Sequence, residues 1–185
     1  MTTSMRVLPG LPPYGPVATS FPTSWGDRGG EGLVVAFDTD SGSWIGNFRP
    51  GLAGIDLVHL HPNHVDAVVV STGDLWVVNV LERRATLLLP AVEAAFPVLA
   101  PDGWIFSRQG LALARLGPQG LLWHSRRLSW DGFDRLAIEG HNLTGLAWSP
   151  LDDRWHGFRV ELATGRSTGG SYLETDPEGW QKLAS

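Results

Sequence analysis

The sequence carries one dense cluster of metal-ligating side chains, the run His59-Leu60-His61-Pro62-Asn63-His64. Residues two apart on a strand share a face, so His59 and His61 can ligate one ion, with His64 returning from the turn. Imidazole suits zinc, copper, iron or nickel. The same residues also fit an ordinary strand followed by a turn. We prefer this second interpretation, which predicts no bound metal and no cofactor.

Catalytic chemistry has no clear signature elsewhere in the chain. There is no Gly-x-Ser-x-Gly elbow for a nucleophilic serine. The absence of cysteine excludes thiol nucleophiles, thiolate zinc sites and disulfide bonds. Two acidic pairs, Asp131 with Asp134 and Asp152 with Asp153, lie in turn-like sequence and are predicted to be solvated rather than to act as a glycosidase pair. We therefore assign no catalytic residue.

The segment 128–172 combines tryptophans with arginines, histidines and acidic residues. Trp and Arg are enriched among the residues that contribute most to protein interfaces, so exposed members of this set would form an interaction surface. The candidate binding residues are Trp130, Asp131, Trp148, Arg154, Trp155 and His156. The alternative is a longer last structural repeat whose tryptophans are buried, and each residue is open to either interpretation.

Short strands are the elements that must position these residues. Charged residues are few, whereas Gly, Pro and Trp are plentiful, a composition that favours strands and turns over long helices. From residue 33 onward, apolar runs of strand length alternate with turn residues. The runs Val68-Val69-Val70 and Leu87-Leu88-Leu89 do not alternate apolar with polar, so both faces of those strands should be covered. The prolines of residues 1–32 predict an extended arm.

Four of the strands end in similar turns and align with a period of about forty residues, which is typical of four-stranded propeller blades. The positions taken as equivalent are Phe37, Val78, Ala114 and Val160. Two further turns, His61-Pro62-Asn63 and Ala100-Pro101-Asp102-Gly103, each follow an apolar run and precede the next strand. These features predict a structural repeat.

This pattern resembles the blades of WD40, PQQ-type and related β-propellers over about residues 33–172. The resemblance implies a fold and no functional residue, because propellers host unrelated functions. It predicts an all-β chain that forms a small β-propeller of about four blades, the alternative being an open stack of antiparallel sheets. The expected blades cover about residues 15–50, 51–90, 91–126 and 127–173.

The chain is expected to form one domain, with the arm 1–32, the repeats 33–173 and a C-terminal tail 174–185. A propeller usually closes by pairing one terminus into the blade formed by the other terminus. The arm residues 17–21, bounded by Pro16 and Pro22, are the candidate closing strand. Most tryptophans and phenylalanines are expected in the core, because each buries a large apolar area.

The formal net charge of −5 opposes binding to nucleic acid or to an anionic membrane. No apolar stretch has the length of a membrane span or a signal peptide, so we expect a cytoplasmic protein. Our leading hypothesis is that the chain is a non-catalytic module that binds another protein and is itself the regulatory or antitoxin-like partner in a bacterial assembly. The alternatives are a propeller that binds carbohydrate or small molecules, with one exposed tryptophan per blade, and a metal-dependent enzyme that uses His59, His61 and His64.

Overall fold

The computed structural model describes residues 3–99 and 102–172, and within these ranges the chain is all-β. In the part of the chain that the structure describes, sixteen strands form four sheets of four strands each, and none of these sheets closes on itself. Among the described residues, the one helix is the short α1 (Thr23–Gly26), and no helix there is long and apolar enough to cross a membrane. The predicted all-β class is confirmed. The predicted tail 174–185 lies outside the described residues.

The amino-terminal segment supplies both edge strands of the first sheet. The strands of this sheet are β1 (Ser4–Leu8), β2 (Thr19–Phe21), β3 (Leu33–Thr39) and β4 (Gly42–Phe48), in the order β1-β3-β4-β2. The pairs β1 with β3 and β3 with β4 are antiparallel, whereas β2 runs parallel to β4. The first sheet therefore begins at Ser4, well before the expected boundary at residue 15.

The other three sheets are antiparallel meanders in which the spatial order of the strands follows the chain. The second sheet contains β5 (Leu57–Leu60), β6 (Ala67–Ser71), β7 (Asp74–Asn79) and β8 (Arg84–Leu89). The third contains β9 (Val92–Leu99), β10 (Asp102–Arg108), β11 (Ala112–Gly117) and β12 (Gly120–His124). The fourth contains β13 (Phe133–Glu139), β14 (Asn142–Ser149), β15 (Arg154–Glu161) and β16 (Ser167–Gly169). These three sheets lie inside the expected ranges 51–90, 91–126 and 127–173.

The chain divides into two compact units. The first unit contains residues 1–108 and 115–122, and the second contains residues 109–114 and 123–185. The division falls in the third sheet, where β11 and β12 each contribute residues to both units.

The candidate closing strand, residues 17–21, forms its pairing within the first sheet. Residues 19–21 enter a hydrogen-bonded ladder, as expected, but their partner is β4 of the first sheet. The expectation that they would join the opposite end of the chain is wrong. β1 occupies the other edge of the same sheet, and the ten-residue loop 9–18 is long enough to carry the chain across three strand spacings of about 4.8 Å. Val17, at the start of the expected strand, is 94% exposed.

The two apolar runs that do not alternate with polar residues, 68–70 and 87–89, have different surroundings. Val68, Val69 and Val70 lie on β6, which has a neighbour on each side and is fully buried, as expected. The second run lies on β8, the last strand of the same sheet, and Leu87 is exposed. The expectation of two covered faces is therefore wrong for β8, because an edge strand has a neighbour on one side only and packs less completely.

The residues of the repeat alignment lie on central strands in all four sheets that the described residues form. Val78, Ala114 and Val160 lie on β7, β11 and β15, each the third strand of an antiparallel meander. Phe37 lies on β3, between β1 and β4. The first sheet differs from the others because it takes two strands from the arm and is not a simple meander. The turn His61-Pro62-Asn63 joins β5 to β6, while Ala100 and Pro101 lie outside the described residues.

Aromatic rings form much of the core of the first unit. The rings of Phe37 and Trp44 stack with centroids 4.4 Å apart, and those of Phe21 and Phe48 stack at 5.2 Å. These residues belong to a buried cluster that also contains Trp76 and apolar residues of the second sheet. The indole N–H of Trp44 donates to the Val80 carbonyl at 3.0 Å. In the second unit, the Trp123 indole donates in the same way to Leu162 at 2.8 Å.

Backbone hydrogen bonds at two hairpin glycines join consecutive sheets. The Val92 N–H, at the start of β9, donates to the carbonyl of Gly73 in the β6–β7 turn at 2.8 Å. The Gly132 N–H, just before β13, donates in the same way to Gly110 in the β10–β11 turn at 2.9 Å. Gly73 has a φ of +89°, and a Cβ there would lie 2.0 Å from the Ala53 carbonyl oxygen. This position therefore requires glycine.

Candidate functional site

The β14–β15 hairpin brings two of the candidate tryptophans into direct contact. Trp148 on β14 and Trp155 on β15 face each other in the strand register, and their ring centroids lie 5.2 Å apart. Trp148 is half-buried, whereas Trp155 is 44% exposed. Cross-strand aromatic pairs stabilise a sheet, so Trp148 holds the exposed ring of Trp155 in place.

Charged and apolar side chains surround Trp155 at the same end of the hairpin. The His156 Nε2–H donates to the Asp152 carboxylate at 2.9 Å. Hydrogen bonds from the Ser149 side chain and from His156 hold the pKa of Asp152 below its ordinary value. Leu151, in the turn, is 76% exposed, and Arg154 is also exposed. We call this set, Leu151, Asp152, Arg154, Trp155 and His156, the hairpin surface.

Trp130 has a different environment from the rest of the candidate set. Its backbone N–H donates to the Trp148 carbonyl at 3.2 Å, which places it beside the hairpin. Its ring, however, packs edge-on against Tyr172 at 4.8 Å, and the Arg127 guanidinium lies 4.9 Å from its centroid. These contacts give Trp130 a structural role, and it is half-buried. Asp131 is exposed next to it.

Four of the six candidate residues, Trp148, Arg154, Trp155 and His156, thus lie at one hairpin. The sequence predicts Asp152 to be one of a solvated acidic pair, and no role was predicted for Leu151. The signal available for Leu151 was an apolar residue in a turn between Pro150 and two aspartates. A large apolar side chain in a turn has no strand neighbour to cover it, so it is expected to be exposed.

The three clustered histidines have three different polar neighbours. His59 Nδ1–H donates to the Leu60 carbonyl at 3.0 Å. The buried His61 accepts at Nδ1 from the Asn63 backbone N–H at 3.1 Å. His64 Nε2 lies 3.4 Å from Asp102. Within residues 3–99 and 102–172, no group of three or more His, Asp or Glu side chains is placed to hold a metal ion.

His59, His61 and His64 nevertheless line one cleft of about 370 Å³ in the first unit. Its opposite wall comes from β9 and β10, including Trp104, whose ring lies 4.9 Å from that of His59. Burial lowers the pKa of His61, and the Asp66 carboxylate and the Asn63 side chain offset part of this effect. Sequence reasoning missed Trp104 and Asp102 because the fold, not the spacing in the chain, brings them to the histidines.

The proline-rich loop 9–18 is a second exposed region that sequence reasoning did not single out. Residues 11–17 are all exposed, and Tyr14 is 90% exposed. A hydrogen bond from the Leu11 N–H to Glu31 Oε2, at 3.3 Å, ties the loop to the segment just before β3. The loop crosses from one edge of that sheet to the other, which explains its length and exposure.

Comparison with known proteins identifies no family for this chain. No protein-family model matches the sequence. A search of curated proteins also gives no significant match. The function is therefore argued from the geometry of the chain itself.

Proposed function

We propose that this chain is a non-catalytic protein-binding module that contacts its partner through the hairpin surface. One observation carries the proposal: Trp155 remains 44% exposed while its ring is held against Trp148. Among the described tryptophans, Trp44, Trp76, Trp104 and Trp123 are buried, so exposure of Trp155 departs from the pattern of the chain. An exposed aromatic ring of this size is typical of the anchor residue of an interface.

The surroundings of Trp155 also suit binding. Its orientation is fixed by Trp148, so little side-chain entropy is lost when a partner covers it. Leu151 adds apolar area, while Arg154 and the Asp152–His156 pair provide a polar rim. An apolar centre inside a polar rim is the usual composition of a protein interface. In its most specific form, the proposal makes this chain the regulatory or antitoxin-like member of a bacterial assembly.

We further propose that the four sheets are the blades of a small propeller. Four consecutive four-stranded sheets, three of them meanders, support this arrangement over unrelated sheet packing. The backbone hydrogen bonds from Val92 to Gly73 and from Gly132 to Gly110, which we call the joints, support a regular arrangement of one sheet after the next. An open stack of the same sheets is the alternative, and small-angle X-ray scattering distinguishes a disc-like particle from an elongated one.

The two alternative functions have less support. A carbohydrate-binding propeller needs an exposed tryptophan in each blade, and among the described residues Trp155 is the exposed one. A metal-dependent enzyme needs converging ligands. His59 and His61 are instead hydrogen-bonded to a carbonyl and a backbone amide, and His64 lies next to a carboxylate. We therefore do not propose either of them.

Site-specific crosslinking tests the proposal. A photo-crosslinking amino acid is placed at Leu151, and the protein is irradiated in extract of the organism that encodes it. The matched control carries the same group at Leu52, a fully exposed leucine of the first unit. A defined adduct formed from position 151 and absent from position 52 is expected, and mass spectrometry identifies the crosslinked protein.

The purified partner then allows a quantitative test. We expect Trp155→Ala to weaken binding about thirtyfold, the size of effect that defines an interface anchor. Leu52→Ala should leave the dissociation constant unchanged. Equal affinity of the wild type and Trp155→Ala, measured by calorimetry, would show that the hairpin surface is not the binding site.

A further inference from the structure

The cleft that contains the clustered histidines has the size and lining of a small-ligand site. Its volume, about 370 Å³, lies at the lower end of the range of known ligand pockets, which corresponds to a compound with one or two rings. Leu60, Pro97, Val98 and Trp104 provide most of an apolar lining. Such a cleft selects its ligand through the few polar groups that line it.

The hydrogen bond of His59 fixes which of its ring nitrogens carries a proton. Its Nδ1 lies 3.0 Å from the Leu60 carbonyl oxygen. Because a carbonyl can only accept, Nδ1 must be the donor. In the neutral ring, Nε2 is therefore a hydrogen-bond acceptor, and it has no partner within residues 3–99 and 102–172.

His61 has the opposite tautomer. Its Nδ1 accepts from the backbone N–H of Asn63 at 3.1 Å, so the proton of the neutral ring is on Nε2. Burial lowers the pKa of His61, which keeps the ring neutral at physiological pH. Nε2–H is thus a hydrogen-bond donor, and none of the described residues accepts from it.

The remaining polar groups at the cleft pair with each other. His64 Nε2 lies 3.4 Å from Asp102 Oδ2. Both side chains are mostly exposed, so the pair lies at the rim of the cleft. One donor from His61, which also lines a second cavity beside Asn63 and Asp66, and one acceptor from His59 are then left to recognise a ligand.

We propose that this cleft binds a small planar ring compound that carries an uncharged amide. The amide oxygen accepts from His61 Nε2–H, and the amide N–H donates to His59 Nε2. The ring lies against Leu60, Pro97 and Trp104. This site is in the first unit and is separate from the hairpin surface, so the inference does not depend on the proposed function.

Nitrogen NMR of the imidazoles tests the first step. In protein labelled with ¹⁵N-histidine, long-range spectra distinguish protonated from unprotonated ring nitrogens. We expect His59 to be protonated at Nδ1 and His61 at Nε2 near pH 7.5. The same tautomer in both rings would overturn the inference, because the cleft would then offer two donors or two acceptors.

Binding of three related probes tests the second step. Benzamide has both amide functions, acetophenone has the carbonyl oxygen without the N–H, and benzoate is charged and has no N–H. We expect saturable millimolar binding of benzamide, measured by ligand-induced NMR shifts of the histidine rings, and about tenfold weaker binding of the other two. Equal binding of benzamide and acetophenone, or no saturation by benzamide, would overturn the proposal.

Substitutions locate the bound probe. His59→Phe and His61→Phe should each weaken benzamide binding about tenfold, while His141→Phe, an exposed histidine of the second unit, should not. His61 is buried, and a loss of folding in that variant would show in its thermal melt. His59 is exposed, so His59→Phe then decides the question, and unchanged benzamide affinity in this variant would contradict the proposal.

Discussion

The indole N–H of Trp123 donates to the carbonyl of Leu162 at 2.8 Å, and both residues are buried. Trp44 and Val80 form the same contact in the first unit at 3.0 Å. In each case the acceptor is the residue that directly follows the third strand of a sheet, β7 or β15. Burial removes the indole N–H from water, and in Trp44 and Trp123 a backbone carbonyl that follows a strand of another sheet takes the place of water.

Replacing these tryptophans by phenylalanine should destabilise the protein. Trp44→Phe and Trp123→Phe each lose the hydrogen bond and part of the buried ring, and we expect each to lower the free energy of unfolding by about 1–3 kcal/mol. Urea denaturation followed by circular dichroism measures this change. Trp155→Phe is the control, because its exposed ring should cost less than about 0.5 kcal/mol. An equal loss in all three variants would mean that the hydrogen bonds are not the cause.

The amino-terminal arm should be essential for stability. Deleting residues 1–24 removes β1 and β2 and the buried Phe21, so we expect a loss of several kcal/mol in the free energy of unfolding. Phe21→Ala alone should cost about 3–5 kcal/mol, and Val17→Ala, at an exposed position, almost nothing. Deleting residues 174–185 is the comparison, and the sequence predicts a small effect because this tail is poor in strand formers. An unchanged melting temperature after the amino-terminal deletion contradicts this prediction.

His61 should make the stability depend on pH. Its folded pKa is lowered from 6.5, mainly by burial, so the unfolded chain binds the proton more readily than the folded chain. Stability is then full above 6.5 and decreases as the pH falls toward the folded pKa. Between pH 7 and pH 5, the free energy of unfolding of the wild type should decrease more than that of His61→Gln. Parallel pH profiles for the two proteins, measured by urea denaturation, would exclude this role of His61.

The hairpin glycine Gly73 should tolerate no side chain. Gly73→Ala places a methyl group against the Ala53 carbonyl and forces a non-glycine residue to a φ of +89°. The matched control is Gly120→Ala, where φ is +107° but nothing lies within 4 Å of the added Cβ. Both variants include backbone strain of about 1–3 kcal/mol. Gly73→Ala should lower the free energy of unfolding by at least about 2 kcal/mol more than Gly120→Ala, because it also disrupts the joint to Val92. Equal melting temperatures for the two variants would contradict this account of the joint.

Local sequence patterns predicted the strands but not their places in the sheets. The valines of β6 and the leucines of β8 are similar apolar runs, and the first is central while the second is at an edge. An apolar run reports the tendency to form a strand, whereas burial depends on how many neighbours the strand has. The same limit applies to the first sheet, because chain order does not reveal that its two edge strands come from the arm.

The candidate sites were predictable to different extents. Trp148, Arg154, Trp155 and His156 lie close together in the chain, so the hairpin that unites them needs only a local turn. The sequence could not predict which of these side chains are exposed, because burial depends on packing around the hairpin. Trp104 reaches the histidines only because side chains of the second and third sheets pack together, and the tautomers depend on individual backbone contacts. Neither feature has a local sequence signal.

The joints at Gly73 and Gly110 use backbone atoms alone. Any strand that presents an N–H at the same place can make the same bond, whatever side chain it carries. Each of these bonds therefore constrains only the backbone of the residue that donates it. The side chains packed around the joint, such as the buried Val92, set the remaining constraints on its sequence.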